Sequence, residues 1–371
     1  MKYLDYNGTS PLAPSVKSYL VNEATEDWGN PAAEHDHGYA QRIKRQHDLE
    51  TIAGFLGWDP GQIIFTSGAT ESINTVLSVS NIQQMKVKSV ISSPLEHSAT
   101  LACLKELQNA GITISWVKHT DKGGIDYDHL SFLCKTSPTS LVSLMHVNNE
   151  TGVINDIQKL SKIAREHECL IHYDFVQGLG KVLCDYSAVD CDFGSFSGHK
   201  IGALKGIGLL VATSMKKLKP IVVGGSQQLG KRAGTENAMA IRSFRLALAD
   251  LKNWEKESIA KIRDSIAELL ISKLPRVQIN CAGENLVCNT LNLFVPGCSA
   301  KEILLKAGKA GLMISTGSAC TSGLEKPSYV ISALYGEERA KQSVRISLGP
   351  DIKHHDIVPI CNSLVSACGD H

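Results

Sequence analysis

Lys200 closes the run Phe196-Ser197-Gly198-His199-Lys200, which sits between two apolar stretches. A lysine at a strand end is usually a solvated charge. It becomes a chemical group when an aldehyde cofactor lies beside it, because amine and aldehyde condense to a Schiff base. Pyridoxal phosphate supplies such an aldehyde, and it needs an acid for its ring nitrogen and a cradle for its phosphate. The acid is expected at Asp174, in Ile171-His172-Tyr173-Asp174-Phe175-Val176-Gln177, where an apolar strand ends. Ligands of parallel sheets gather at the C-terminal ends of the strands, although an aspartate there also suits a turn or a helix cap. Thr66-Ser67-Gly68-Ala69-Thr70-Glu71 joins an apolar run to a helical pattern. Its small residues let the backbone approach a phosphate, and the helix start offers free N–H groups. The same residues also form an ordinary capping signature. The nucleophile is expected at Cys320, in Ser315-Thr316-Gly317-Ser318-Ala319-Cys320-Thr321-Ser322-Gly323. Small residues on both sides suggest an exposed loop able to carry a thiolate to a substrate. The other ten cysteines lack such a setting and read as small core residues.

The elements that must position these groups follow an alternating pattern. Strands are expected at 63–66, 89–92, 112–117, 141–146, 170–174, 193–196 and 207–212. Segments of helical length, such as 69–79, 98–110 and 157–167, lie between several of them. Such alternation reads as βαβ units and a mainly parallel sheet. Helices are also expected at 14–27 and 39–56, before the first strand. An uninterrupted helix is expected from Glu236 to about Lys273, as a connector. Beyond it, strands at 277–281, 290–295 and 344–348, a helix at 300–310 and a terminal helix suggest a compact α+β unit.

Bulk properties narrow the function classes. The 371 residues are 43% hydrophobic and 20% charged, with a formal net charge of +1. That balance argues against a dedicated nucleic-acid surface. The polar start MKYLDYNGTSP and the lack of a long apolar run argue against a signal peptide or a membrane span, and point to the cytoplasm. Eleven cysteines, an odd number with no CxxC pair, are expected as thiols rather than disulfides or a structural zinc site. Two rival readings are weak. Gly225 to Arg232 nearly fits a P-loop but ends in Arg232 where Ser or Thr must hold magnesium. His35 with His37, and His354-His355-Asp356, suggest metal only as surface clusters, and no metal is expected.

Taken in order, Phe65 to Ser72, Glu96-His97, Met145 to Gly152, Ser195 to Lys200, Arg232-Ala233-Gly234-Thr235 and Ser318 to Ser322 form a set that resembles the NifS/IscS-type cysteine desulfurases. These belong to the class V aminotransferases among fold-type I pyridoxal-phosphate enzymes. The motifs run from Leu4-Asp5-Tyr6 to Arg345, nearly the whole chain. The resemblance implies an α/β fold with a large domain, residues 13–250, built on a mainly parallel seven-stranded sheet flanked by helices. A smaller α+β domain, residues 1–12 and 251–371, would carry the Cys320 loop. It implies that Lys200 anchors pyridoxal phosphate and moves protons at the substrate α-carbon. Asp174 would pair with the ring nitrogen, Gln177 with the phenolic oxygen, and His97 would stack on the ring and act as acid or base. Ala69, Thr70, Ser197 and His199 would hold the phosphate. Thr235 would reach the phosphate of a neighbouring subunit, which implies a homodimer. Asn149 and Arg345, with Asn30, would bind the substrate carboxylate. L-Cysteine would become L-alanine, and its sulfur would rest as a persulfide on Cys320 before passing to an acceptor protein. Selenocysteine lyase, or a non-catalytic platform of sulfur metabolism, are the alternatives.

The chain departs from that pattern in places. Leu204 stands where many relatives have proline, which is expected to loosen the turn after Lys200. Phe175 and Val176 replace a usual small pair, and Val176 is expected on the cofactor ring opposite His97. Gln227-Gln228-Leu229 lacks the usual Glu-Arg before Thr235. The sequence ends at His371 soon after the last helix, without the tail that longer relatives use with iron–sulfur scaffolds. That favours a more specialised acceptor, as in tRNA or DNA sulfur modification.

Overall fold

A computed structural model describes residues 1–137, 139–317 and 327–369. Seven short strands form its main sheet: β1 Ile63–Thr66, β2 Ser89–Ser92, β3 Thr113–Trp116, β4 Ser140–Met145, β5 Leu170–Asp174, β6 Phe193–Ser197 and β7 Gly208–Ala212. Each lies within a residue or two of the expected run. Their spatial order is β1-β7-β6-β5-β4-β2-β3. Strands β2 to β6 pair in parallel, and β7 runs antiparallel to both β1 and β6. Both faces are covered, which is why every strand but the edge strand β3 is buried along nearly its whole length rather than at alternate residues. Side chains alternate between the faces with period two. Val142, Leu144, Ile171, Tyr173, Leu209 and Val211 enter one apolar cluster, while Leu141, Phe193, Leu210 and Ala212 enter the other.

A second, antiparallel sheet places Thr290–Phe294 between Gln278–Ile279 and Ser343–Ser347. The N-terminal strand Lys2–Tyr3 pairs in parallel with Leu312–Met313, and Asp5 bridges to Ser347. The first residues of the chain are thereby tied to its last third, and the segment that follows, around Asn7 and Gly8, is carried toward Lys200.

The long connector helix is interrupted. Ala238–Asp250 and Lys256–Lys273 are separate helices, with a 3-10 turn at Leu251–Asn253 between them. Trp254 leaves helical geometry at φ −84°, ψ 84°. The break buries two large side chains at once. Leu251 packs against Gly180, and Trp254 meets the Tyr6 ring edge-on at 5.8 Å. Helical periodicity continues through this region, so only tertiary packing marks the break.

Candidate active site

The C-terminal edge of β5 carries the first functional group. Asp174 is 6% exposed and accepts the Val176 N–H at 2.9 Å. Two residues earlier, on the same face, His172 is fully buried. Its Nδ1 lies 2.9 Å from Ser143 Oγ on β4 and its Nε2 2.9 Å from Ser195 Oγ on β6. Burial pulls its pKa down to about 3, so a neutral imidazole staples three strands together beneath Asp174. Burial has the opposite sign for the carboxylate and pushes Asp174 up to about 6, with Lys200 offsetting part of the rise. A buried anion held this way is suited to a cationic N–H from a bound ring.

Lys200 closes the short turn Gly198–Lys200 that follows β6. Its Nζ donates to the carbonyls of Asn7 at 2.6 Å and Gly8 at 2.7 Å. Ser10 Oγ donates to the Lys200 carbonyl at 2.7 Å. Gly8 packs against Asp5, the partner of Arg345, since a Cβ there would stand 2.4 Å from Asp5 Oδ2. Four further groups sense the Lys200 charge. His97, the N-cap of Ser98–Asn109, is lowered to about 4 by burial and then by Lys200. His199, 3.0 Å from Thr9 Oγ1, is lowered to about 4 by burial and then by Lys200. Asp174 and the buried Lys181 are the others. The charge of Lys200 thus acts on His97, Asp174, His199 and Lys181 alike. Gln177 joins Lys200 through its Nε2, which donates to the Asn7 carbonyl at 3.0 Å.

The expected phosphate cradle opens the helix Ala69–Val76, with Ala69 and Thr70 as its first residues. Glu71 bends back to accept the Ser67 N–H at 2.7 Å and takes Arg232 Nε at 3.0 Å. Those two bonds hold its carboxyl below the usual range against the cost of burial, and they tie the cradle to the segment bearing Thr235. Ser197, 6% exposed, ends β6 opposite Gly208 of β7, which pairs on its other side with Thr66 at the end of β1.

Arg345 is buried on Ser343–Ser347, with Nη1 on the Asn149 carbonyl at 2.9 Å and Nη2 on Asp5 Oδ1 at 2.6 Å. Among the described residues, its Nε and the Asn149 Oδ1 are buried without a hydrogen-bond partner. One donor and one acceptor left open in this way fit a pair of groups built for a ligand. Asn30 is exposed, and its Oδ1 caps Ala32 N within its own turn at 3.0 Å. Among the described residues, no side-chain hydrogen bond or ion pair joins it to Arg345. Thr235 is also exposed. Cys320 lies outside the described residues.

The departures resolve in physical terms. The turn after Lys200 is fastened, not loosened: the Leu204 N–H donates to Ser243 Oγ at 3.1 Å, a bond that proline cannot make. Phe175 points into the core, ring-stacked on Phe196 at 5.1 Å and edge-on to Tyr186 at 5.1 Å. Gly194 makes room for it, since a Cβ there would stand 2.8 Å from the Phe175 ring. Gln228 accepts the Phe65 N–H at 2.9 Å through Oε1 and donates through Nε2 to Glu236. A glutamate there could do the first but would meet Glu236 as a like charge. The P-loop reading fails locally: residues 221–226 form no strand, and Gln228 and Leu229 take left-handed backbone angles.

His172, Asn7 and Lys181 also serve the site, though the linear sequence assigns them no role. Their positions are marked by no motif with its own chemistry; each acquires meaning from partners on other elements.

A mainly parallel seven-stranded sheet, a lysine beyond one strand end and a buried aspartate at the end of the next are the architecture of fold-type I pyridoxal-phosphate enzymes. The chain belongs to the aminotransferase class V family, whose profile matches residues 2–359. It is 35% identical over 353 residues to a cysteine desulfurase IscS of Dictyoglomus turgidum, covering 94% of this chain and 89% of that protein. The solved structure of a NifS-like protein from Rickettsia africae superimposes with a TM-score of 0.88 at 29% identity, covering 99% of each chain. A structure of SspA in complex with cysteine matches with a TM-score of 0.82 at 28% identity, covering 94% of this chain and 99% of that one. Among the described residues no helix is long and apolar enough to cross a membrane.

Proposed function

We propose that this protein is a pyridoxal-phosphate-dependent cysteine desulfurase that converts L-cysteine to L-alanine and holds the sulfur as a persulfide on Cys320 for an acceptor protein. The observation that supports the reading is that Lys200 and Gln177, beyond the ends of β6 and β5, share the Asn7 carbonyl, while the Asn7 side chain donates to the Asn149 carbonyl that also accepts from buried Arg345. Bound pyridoxal phosphate supplies an electron sink that makes the substrate α-proton acidic. Asp174 holds the ring nitrogen protonated, and Gln177 donates to the phenolic oxygen. Ala69, Thr70, Ser197 and His199 take the phosphate. Lys200 takes and returns the proton at the substrate α-carbon, and neutral His97 lies over the ring as a second proton carrier. Arg345 presents its guanidinium to the substrate carboxylate, with the Asn149 side chain beside it. The Cys320 thiolate attacks the substrate sulfur. The Cβ–S bond breaks, its electrons stay on the substrate carbon, and a proton there completes alanine.

Thr235 is assigned to the phosphate of a second copy. Its exposure supports this, as do the exposed apolar Val223 and Leu229 in the same segment. Asn30, exposed and remote from Arg345 in contacts, is assigned to the same assembly rather than to the site of its own chain. The test is Cys320→Ser. It should keep the visible absorbance of bound cofactor and its change on adding L-cysteine, while alanine and sulfide formation fall at least a hundredfold. Turnover at the wild-type rate would refute the assignment of Cys320.

A further inference from the structure

Lys181 is 2% exposed, a rare state for a lysine without an acidic partner. Among the described residues no carboxylate pairs with it. Its Nζ donates instead to two amide oxygens, Gln177 Oε1 at 2.5 Å and Asn7 Oδ1 at 3.1 Å. Burial and then repulsion from Lys200 pull its pKa down to about 7. A methionine or leucine would fill the same volume without desolvating a charge. The site therefore sacrifices stability here, and the geometry indicates what is gained.

An amide side chain has one accepting end and one donating end, and the amine keeps at least two N–H donors whether charged or neutral, enough for both oxygens that it meets. Wherever Nζ sits, the amide oxygens must face it and the NH2 groups must face away. The Gln177 Nε2 is consequently turned to the Asn7 carbonyl, the same oxygen that accepts from Lys200 Nζ. The Asn7 Nδ2 is turned to the Asn149 carbonyl at 3.1 Å and to Thr290 Oγ1 at 2.8 Å. Asn289 Nδ2 adds a second donor to Asn7 Oδ1 at 3.2 Å. One buried amine thus sets the direction of two amides, one sharing the Asn7 carbonyl with Lys200 and the other sharing the Asn149 carbonyl with Arg345.

We propose that Lys181 is a positioning residue that locks the Gln177 and Asn7 amides in one orientation, so that Gln177 meets the cofactor with its NH2 rather than its oxygen. The inference rests on the cofactor assignment above. Its test is a double-mutant cycle on cofactor binding. Pyridoxal phosphate is titrated into cofactor-free wild type, Lys181→Met, Gln177→Leu and the double variant, following the dissociation constant and the wavelength of the visible maximum. Lys181→Met should weaken binding about tenfold, which is about 1.4 kcal/mol, and shift the maximum as Gln177→Leu does. In the Gln177→Leu background the same change should alter affinity less than about twofold, because there is no amide left to orient. The milder Lys181→Gln serves in the same cycle if Lys181→Met does not fold. Full, additive effects in the Gln177→Leu background, or no effect in wild type, would overturn the proposal. A wild-type chain that gains no visible band would overturn the cofactor assignment itself, and the proposal with it.

Discussion

Asp174→Asn isolates the energetic tension at the centre of the site. Asparagine keeps the shape and keeps an oxygen for the Val176 N–H, but it carries no charge. Burial raises Asp174 from 3.8 to about 6, and at 6% exposure solvent screens little of that effect. Each pKa unit corresponds to about 1.36 kcal/mol, so the shift corresponds to about 3 kcal/mol. The sign follows from proton binding. The folded pKa lies above the unfolded one, so the stability contribution is complete below about pH 3.8 and lost as the pH rises through about 6. Asparagine does not titrate. The cofactor-free Asp174→Asn chain should therefore be more stable than wild type by up to about 3 kcal/mol at pH 7, and the gap should close toward about pH 4. Urea unfolding of both cofactor-free proteins across that range measures it. With pyridoxal phosphate present the order should reverse, since a ring cation stabilises the carboxylate and not the amide, and tighter binding adds to folded-state stability. A gap that is absent at pH 7, or independent of pH, would refute the reasoning.

Two further changes test other parts of the structure. Arg345→Lys keeps the charge but not the fork that reaches both Asn149 and Asp5. KM for L-cysteine should rise about 10- to 100-fold, the range expected for lost charge-assisted hydrogen bonds, while cofactor absorbance stays as in wild type. Asp48, 2% exposed, pairs with Arg242 at 2.8 Å and Arg245 at 2.6 Å between the helices Asp36–Leu56 and Ala238–Asp250. Asp48→Ala takes from Arg245 its acidic partner and leaves Arg242 with Asp27 at 3.8 Å, and should cost about 3 kcal/mol in denaturant unfolding.

Much of this arrangement was legible in the linear chain. The strands were readable because short apolar runs bounded by polar residues have few other folds open to them. Lys200, Asp174 and Thr70 were readable because each ends or begins an element, where side chains and backbone groups are free to serve a ligand. The break at Leu251–Asn253 was not readable, since its cause is the fit of Leu251 on Gly180 and of Trp254 on Tyr6, partners far away in sequence. Phe175 read only as a departure from a small residue and is core, because the side chain of a residue just past a strand end turns inward or outward according to what space Gly194 leaves. Leu204 looked like a lost constraint, and Ser243 replaces it.

The sequence alone determined which chemical groups the protein has to work with: an amine, a carboxylate, an imidazole, a guanidinium and a thiol, each in a motif of the right order. It could do so because those groups act through local backbone context as well as through distant contacts. The tertiary structure decided which way they face. Asn7 is 193 residues from Lys200 and 174 from Lys181, yet its two oxygens receive both amines. The chain has no local means of writing that arrangement. It arises because Lys2–Tyr3 must pair with Leu312–Met313, which brings the N-terminus across the sheet edge and sets Asn7 beneath Lys200.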